Sequence, residues 1–211
     1  MSGITEPAID KYIRSLVPER DAVLHEMEER ASRDRIPIVG PVVGTLLSSL
    51  AKSIRAKRIF ELGSAIGYST IWLARALPTG GKIYYTDGDP KNAAAAEASF
   101  KLAGVQDRIE IRVGDALTHF NSVGGDFDFI FNDVDKHGYP AVYRQASGRV
   151  RVGGFFVTDN TLWSARVIDL SVNDADTEGV REFNRLLSAD TRFETTTLPL
   201  RDGVTVALRL R

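Results

Sequence analysis

The chain has 211 residues, 43% of them hydrophobic, and its 27 Lys and Arg residues nearly balance 28 Asp and Glu residues, for a formal net charge of -1. A chain of this length buries roughly 70% of its unfolded surface, so we predict a single domain over residues 1–211. The charges are spread along the chain and form no basic face, which excludes nucleic acid as a predicted partner. The absence of cysteine excludes disulfides, thiolate metal sites and a cysteine nucleophile.

The sequence also carries no signal for a membrane. The segment from Met1 to Arg20 has no apolar region typical of a signal peptide. No stretch elsewhere approaches the roughly 20 apolar residues of a membrane span. We therefore predict a cytoplasmic protein with no membrane partner.

Residues 1–55 are predicted to form N-terminal helices that precede the repeating part of the chain. Three helix starts have proline in or near the first turn: Thr5-Glu6-Pro7, Pro18-Glu19 and Gly40-Pro41, the last beginning a helix through about Ala51. Proline is favoured there because its missing N–H has no helical partner at that position.

From Lys57 the pattern changes to short apolar runs that alternate with amphipathic segments, which is typical of βαβ units and a mostly parallel sheet. Between the second and third runs, Asp89-Pro90 predicts a helix start and Gly104 its end. The five runs are Arg58–Leu62, Lys82–Thr86, Arg108–Val113, Phe127–Phe131 and Gly154–Thr158. Residues 56–211 are therefore predicted to form an α/β core.

Two strand-like segments near the C-terminus, Arg192–Leu198 and Val204–Leu210, are separated by a turn that contains Asp202-Gly203. We predict that these two strands are antiparallel. Open parallel sheets bind ligands beyond the carboxyl ends of their strands, so the residues that follow each strand are the candidate site.

The turn after the first predicted strand, Glu61 to Ser69, favours an adenosine cofactor without a pyrophosphate. The dinucleotide fingerprint G-x-G-x-x-G fails, because Ala65 stands where the glycine after Gly63 is required. Asp87 ends the second strand, where a carboxylate accepts hydrogen bonds from ribose hydroxyls. After the third strand, the segment Gly114-Asp115-Ala116 is placed to contact the edge of an adenine ring.

Oxygen donors follow the next two strands. Asp133 comes after the fourth strand, and Asp159-Asn160 follows the fifth. Adjacent parallel strands lie about 4.8 Å apart, so these side chains are expected to reach one point above the sheet. Two carboxylates and an amide oxygen suit a hard cation, and the sequence leaves magnesium, manganese and calcium open.

With these motifs the sequence resembles the cation-dependent O-methyltransferase family, which includes catechol and caffeoyl-CoA O-methyltransferases. The likeness runs from about Ile9 to Arg209 and is strongest in Glu61–Ser69, Asp133-Val134-Asp135-Lys136 and Asp159-Asn160-Thr161-Leu162-Trp163. The resemblance implies a class I S-adenosylmethionine-dependent methyltransferase with a Rossmann-like, doubly wound, seven-stranded sheet whose last strand is antiparallel. It also implies a homodimer.

The resemblance further assigns roles to individual residues. It makes Asp133, Asp159 and Asn160 the ligands of a divalent metal, most simply Mg²⁺, and Lys136 the base that takes the acceptor's proton. Its implied cofactor-binding residues are Val39, Glu61, Gly63, Ser64, Ser69, Asp87, Ala116 and Asp135.

The sequence departs from the family pattern at several positions, and two segments among them bear on substrate contacts. Ser164-Ala165 stands where the family often has asparagine or glycine and then glycine. In the Val172–Gly179 insertion, Asp174, Asp176 and Glu178 are candidates for a carboxylate that grips substrate.

The predicted reaction is methyl transfer to a hydroxyl of a small catechol-like acceptor. Three alternatives remain open from the sequence: a metal-independent methyltransferase acting on nitrogen or carbon, a nicotinamide-dependent oxidoreductase, and a non-catalytic adenosine-binding module. The missing second glycine disfavours the oxidoreductase.

Overall fold

The computed structural model of the protein describes residues 4–211 and contains a seven-stranded sheet in the order β3-β2-β1-β4-β5-β7-β6. The first five strands in the chain pair in parallel, and β7 is antiparallel to both of its neighbours, as predicted. The strands are β1 (Arg58–Leu62), β2 (Lys82–Asp87), β3 (Ile109–Val113), β4 (Phe127–Asn132), β5 (Val150–Thr158), β6 (Phe193–Leu198) and β7 (Val204–Arg209).

Helices cover both faces of this sheet, which gives the doubly wound arrangement expected from the sequence. They are α1 (Pro7–Ser15), α2 (Ala22–Asp34), α3 (Gly40–Ser53), α4 (Tyr68–Ala76), α5 (Pro90–Leu102), α6 (Ala116–Ser122), α7 (Tyr139–Ala146) and α8 (Ala175–Ser188). Short 3-10 turns follow β4 at Lys136–Gly138 and β5 at Trp163–Ile168.

The two faces arise from the alternation of side chains along each strand. Ile59 of β1 belongs to the apolar cluster that includes residues of α3, α4 and α5, whereas its neighbour Phe60 belongs to the cluster with residues of α6, α7 and α8. Because the central strands are covered on both faces, side chains of both alternating sets are largely apolar.

The predicted start of the second helix was wrong. The helix begins at Ala22, not at Pro18-Glu19, because the Asp21 side chain accepts a hydrogen bond of 3.1 Å from the Leu24 N–H and caps the helix there. The predicted starts of α1 at Pro7, α3 at Gly40 and α5 at Pro90 are confirmed.

Strand β5 also begins earlier than predicted, at Val150 instead of Gly154, and its pairing with β4 is irregular between Phe127 and Phe129. A methyl group added at Gly154 would lie 2.6 Å from the Asp128 carbonyl oxygen, so glycine permits the close approach of the two backbones.

The chain order reverses between β1 and β4, and this switch point places the loops after both strands beside a crevice. The residues that follow β1, β2, β4 and β5 therefore meet at one edge of the sheet. None of the helices within residues 4–211 combines the length and apolar character needed to cross a membrane.

Candidate active site

A cavity of about 530 Å³ opens at this edge of the sheet. Of the residues predicted to bind the cofactor or the metal or to act as the base, Glu61 alone is not part of its wall. The predicted residues that line it are Val39, Gly63, Ser64, Ser69, Asp87, Ala116, Asp133, Asp135, Lys136, Asp159 and Asn160.

Gly63 joins the two halves of the cavity, because it lies against the backbone that follows β4. Its φ of 81° is in the left-handed region, and a methyl group added to it would lie 2.5 Å from the Asp133 carbonyl oxygen. The Asp133 N–H donates to the Leu62 carbonyl oxygen at 2.8 Å, which holds the two strand ends together. Only glycine satisfies both constraints.

Glu61 lies behind the cavity wall instead of within it. Its side chain is fully buried, and Oε2 accepts a hydrogen bond of 2.5 Å from the Thr70 hydroxyl. Burial raises the pKa of Glu61 to about 7, although the hydroxyls of Ser69, Thr70 and Ser64 oppose that shift. Its predicted contact with a cofactor stays a prediction, and in this structure its neighbours are the serines that form the wall.

Asp87 lines the cavity at the end of β2, but its carboxylate already has partners. It accepts hydrogen bonds from the Ala65 N–H at 2.9 Å, the Asp89 N–H at 2.9 Å and the Asn92 side-chain amide at 3.1 Å. These bonds fix its orientation toward the crevice. A carboxylate has about four acceptor sites, so capacity for a hydroxyl remains.

The adenine end predicted at Gly114 to Ala116 is formed by the start of α6. The Gly114 N–H donates to the Asp87 carbonyl oxygen at 2.9 Å, which aligns the ends of β3 and β2. Asp115 caps α6 by accepting a 2.7 Å hydrogen bond from the Thr118 N–H. Ala116 is thereby placed on the cavity wall with a small side chain.

The structure brings the two predicted metal-binding carboxylates into one electrostatic environment. Burial raises the pKa of both Asp133 and Asp159, and the charge of Asp133 raises the pKa of Asp159 further. Arg201 and Lys136 oppose these shifts. Two carboxylates whose charges interact in this way repel each other when both are ionised, and a nearby cation would relieve that repulsion.

One observation in particular supports a hard cation at the predicted oxygen donors. The Asp159 side chain is only 3% exposed, and its buried Oδ1 has no hydrogen-bond partner within residues 4–211. The next residue, Asn160, is 7% exposed and has a left-handed φ of 54°. An unpartnered buried carboxylate oxygen is costly, and a cation removes that cost.

The ligand set remains small for a metal site. No group of three or more histidine, cysteine or acidic side chains in the described chain is arranged to hold a metal ion. The predicted ligands Asp133, Asp159 and Asn160 would supply two carboxylates and one amide, and water or substrate would have to fill the other positions around an ion.

Lys136 is held beside this pair in a nearly enclosed position. Its side chain is 13% exposed, and Nζ donates to Asp133 Oδ1 at 2.8 Å and to the Val134 carbonyl oxygen at 3.2 Å. The ammonium also lies 5.4 Å from the Tyr139 ring centroid and 5.8 Å from that of Trp163. Lys136 therefore stands between the carboxylates and the aromatic wall.

Of the two aromatic residues beside the Lys136 ammonium, only Trp163 lines the cavity. Tyr139 is fully buried and donates through its hydroxyl to the Asp159 carbonyl oxygen at 2.8 Å. It therefore supports the loop that carries Asp159 and packs in the core.

The loop after β5 has an unusual backbone. Trp163, Ser164 and Ala165 all have left-handed φ angles, of 45°, 51° and 62°. This conformation is costly for residues other than glycine, so the surroundings must hold it. Asp202 does so, since its carboxylate accepts from the Ser164 N–H and its carbonyl oxygen accepts from the Leu162 N–H at 2.9 Å.

Among the three acidic candidates of the Val172–Gly179 insertion, only Asp176 lines the cavity, and it accepts hydrogen bonds from the backbone N–H of His137 at 3.0 Å. Asp174 caps α8 instead, by accepting from the Thr177 N–H at 3.1 Å. Glu178 pairs with Arg181 on the same helix.

Sequence reasoning missed several residues of the cavity wall, among them Tyr68 and Arg201. Tyr68 begins α4 in the glycine turn and is only 2% exposed. Arg201 belongs to the β6–β7 turn, far along the chain from the strand ends. The motif containing Tyr68 was visible in the sequence, but no local pattern marks Arg201, because only the folding of β7 against β5 brings it there.

The sequence matches the family described as O-methyltransferase over residues 16–210. It is 35% identical over 212 residues to a catechol O-methyltransferase of Niastella koreensis, covering 95% of this chain and 96% of that protein. It is 34% identical over 227 residues to a caffeoyl-CoA O-methyltransferase of Eucalyptus gunnii, covering 100% of this chain and 90% of that protein.

Solved structures give the same picture. An O-methyltransferase from Bacillus cereus in complex with SAH superimposes with a TM-score of 0.87 at 33% identity, covering 96% of this chain and 97% of that chain. An O-methyltransferase from Streptomyces achromogenes in complex with SAM superimposes with a TM-score of 0.88 at 31% identity, covering 97% and 96%.

Proposed function

This chain belongs to the O-methyltransferase family, and we propose that it transfers the methyl group of S-adenosylmethionine to a hydroxyl of a small catechol-like acceptor held at a divalent metal ion. Dependence on S-adenosylmethionine is supported by family membership and by the SAH- and SAM-bound relatives. The metal, the acceptor and the residue roles rest on the geometry of the cavity.

The cofactor occupies the part of the cavity between β1 and β2 in this proposal. The turn at Gly63 lets a ligand approach the backbone, and Ser64 and Ser69 place hydroxyls on the same wall. Asp87 ends β2 with a fixed carboxylate that suits ribose hydroxyls. Val39, Ala116 and Asp135 complete the predicted contacts on the cavity wall.

The observation that carries the metal proposal is the buried, unpartnered Oδ1 of Asp159 beside Asp133. Asp133, Asp159 and Asn160 would hold the ion, because carboxylate and amide oxygens are the ligands that Mg²⁺, Mn²⁺ and Ca²⁺ share. When bound, the cation would supply positive charge that favours ionisation of an acceptor hydroxyl, which otherwise has a pKa of about 10.

Lys136 has two roles in this proposal. In its neutral form Nζ accepts the proton that leaves the acceptor hydroxyl, and afterwards the ammonium stays beside the developing charge. Its hydrogen bond to Asp133 aims it at the same point as the carboxylates, and Trp163 forms the apolar wall beside it. Methyl transfer to oxygen needs no covalent enzyme intermediate, so positioning and charge supply most of the acceleration.

Further predictions from the sequence concern assembly, location and partners. A homodimer, a cytoplasmic location and the absence of nucleic-acid or membrane partners are proposals for this chain. A metal-independent methyltransferase acting on nitrogen or carbon is distinguished from the main proposal by its insensitivity to chelation.

The experiment that tests the proposal is an activity assay with S-adenosylmethionine, Mg²⁺ and a panel of vicinal diols, with and without a chelator. We expect a mono-O-methylated product from a diol, loss of turnover with the chelator, and recovery when excess Mg²⁺ is added. A matched acceptor with a single hydroxyl serves as the control. Turnover that is unchanged by chelation, or methylation of nitrogen or carbon alone, contradicts the proposal.

A further inference from the structure

Arg201 enters the active-site cavity from the turn between β6 and β7 and lies beside the loop that precedes α3. Its Nη1 donates a 2.5 Å hydrogen bond to the Ile38 carbonyl oxygen, and both residues line the cavity. The same guanidinium lies close to Gly40, where an added methyl group would be 3.4 Å from Nη1. The side chain is half-buried, so its contacts are limited to this wall.

The guanidinium has donors left over for a ligand. An arginine side chain carries five N–H donors. Within the described chain Arg201 uses one of them, in the hydrogen bond to the Ile38 carbonyl oxygen. Arg201 also forms no ion pair with a carboxylate of residues 4–211 within 4.0 Å, whereas Lys136, the lysine of the cavity wall, is paired with Asp133. Arg201 is thus a cation of the cavity wall that no carboxylate of residues 4–211 contacts directly.

The backbone of Arg201 is held in a strained conformation. Its φ is 51°, in the left-handed region that favours glycine, within a turn closed by a 2.8 Å hydrogen bond from the Gly203 N–H to the Leu200 carbonyl oxygen. The Arg201 carbonyl oxygen in addition accepts from the Ile4 N–H at 2.9 Å. A glycine would adopt this φ without strain. The chain therefore has an arginine side chain at this position despite the strained backbone.

The location of Arg201 favours the acceptor end of the cavity. Its charge acts on Asp133, Asp159 and Asp202, the carboxylates at the ends of β4, β5 and the β6–β7 turn. Asp87, the proposed ribose partner, lies at the end of β2, on the other side of β1 in the sheet.

We propose that Arg201 binds a carboxylate carried by the acceptor, so that the preferred substrates are vicinal dihydroxy aromatic acids. The inference rests on the proposed function, because it assumes that the two hydroxyls of the acceptor lie at the metal ion held by Asp133 and Asp159. A planar guanidinium binds a carboxylate through parallel N–H···O bonds, which fixes the ring as well as adding affinity. The free carboxylate thereby sets which of the two hydroxyls faces the methyl donor.

The test uses two acceptors that differ only in this group, 3,4-dihydroxybenzoate and catechol. Their binding to the protein with Mg²⁺ and S-adenosylhomocysteine is measured by calorimetry, and their kcat/KM values are measured with S-adenosylmethionine. We expect the acid to bind with an affinity at least about tenfold higher than that of catechol, as is typical of a hydrogen bond to a charged group.

Two variants separate charge from structure. Arg201→Gln keeps a donor for the Ile38 carbonyl oxygen but removes the charge, and we expect it to abolish the preference for the acid over catechol while leaving the affinity for S-adenosylhomocysteine unchanged. Arg201→Lys keeps the charge and is expected to retain part of the preference.

Three results overturn the inference: no preference for the acid in the unmodified protein, equal weakening of both acceptors by Arg201→Gln, or weaker binding of S-adenosylhomocysteine, which would assign Arg201 to the cofactor's own carboxylate. Failure of the proposed function looks different. In that case neither diol binds or is methylated, whereas methylation of catechol without any preference for the acid contradicts the role of Arg201 alone.

Discussion

Lys136 Nζ donates a 2.8 Å hydrogen bond to Asp133 Oδ1, and this bond joins the proposed base directly to a proposed metal ligand. The pair is three residues apart on the loop after β4, so a single loop conformation sets both positions. A change at Lys136 therefore tests the chemistry without removing an oxygen donor.

We expect Lys136→Met to lower kcat by about 100- to 10,000-fold, the usual contribution of a positioned base. The affinity for S-adenosylmethionine should stay unchanged, because Lys136 is not among the proposed cofactor contacts. Lys101→Met, at an exposed lysine of α5, is the matched control and should retain full activity. A Lys136 variant with unchanged kcat contradicts the assignment.

Asp159→Ala should abolish turnover and metal binding while it leaves the affinity for S-adenosylmethionine nearly intact, because the proposed cofactor contacts lie on other strand ends. Calorimetric titration with Mn²⁺ and with the cofactor measures the two affinities separately. Asp107→Ala removes an exposed carboxylate before β3 and serves as the control. Loss of both affinities in a variant that remains folded shows that the two roles are not separate.

Gly63→Ala should destabilise the fold by about 2–4 kcal/mol, since the new methyl group meets the Asp133 carbonyl oxygen and the backbone has a left-handed φ. Gly88→Ala is the matched control, because Gly88 also lines the cavity but has open space around its Cβ position. Urea unfolding of the two variants gives the free energies. Equal stability of both variants contradicts the proposed close contact.

Glu61 predicts a pH dependence of stability for the ligand-free protein. Its pKa is raised from 4.5 to about 7 by burial, so between these values the folded state binds more protons than the unfolded state. The contribution of Glu61 to stability is therefore fully present below about pH 4.5 and is lost as the pH rises to about 7, by about 3 kcal/mol in total.

Urea unfolding between pH 4.5 and 8 measures this slope. The glutamine of the variant Glu61→Gln cannot ionise, and its amide oxygen keeps an acceptor for the hydrogen bond from the Thr70 hydroxyl. The difference in unfolding free energy between the variant and the unmodified protein should therefore change in favour of the variant as the pH rises. A difference that is independent of pH shows that Glu61 does not titrate in this range.

Ala165→Gly should relieve part of the strain in the loop after β5, where the alanine has a φ of 62°. Glycine tolerates this angle but gains entropy in the unfolded chain, so we expect a net stabilisation of up to about 1 kcal/mol. Because the same loop carries Trp163, KM for the acceptor should rise. A thermal-unfolding series with acceptor kinetics measures both effects, and a destabilised variant contradicts the strain.

The order of the elements and most of the site were predictable from the sequence, for local reasons. Apolar runs gave the strands, Asp89-Pro90 gave the start of α5, and the failed glycine fingerprint at Ala65 favoured adenosine over a dinucleotide. Asp133 and Asp159 were predicted as neighbours because the ends of adjacent parallel strands meet at one edge.

The tertiary structure alone decided the remaining features. The burial of Glu61 behind the wall depends on how α4 packs over β1, and the start of α2 at Ala22 depends on a cap from Asp21. Arg201 reaches the cavity only because β7 pairs antiparallel with β5, which brings a distant turn to the ends of β4 and β5. Strands and caps follow from short-range patterns, whereas burial, charge pairing and contacts between distant loops depend on packing between segments that are far apart in the chain.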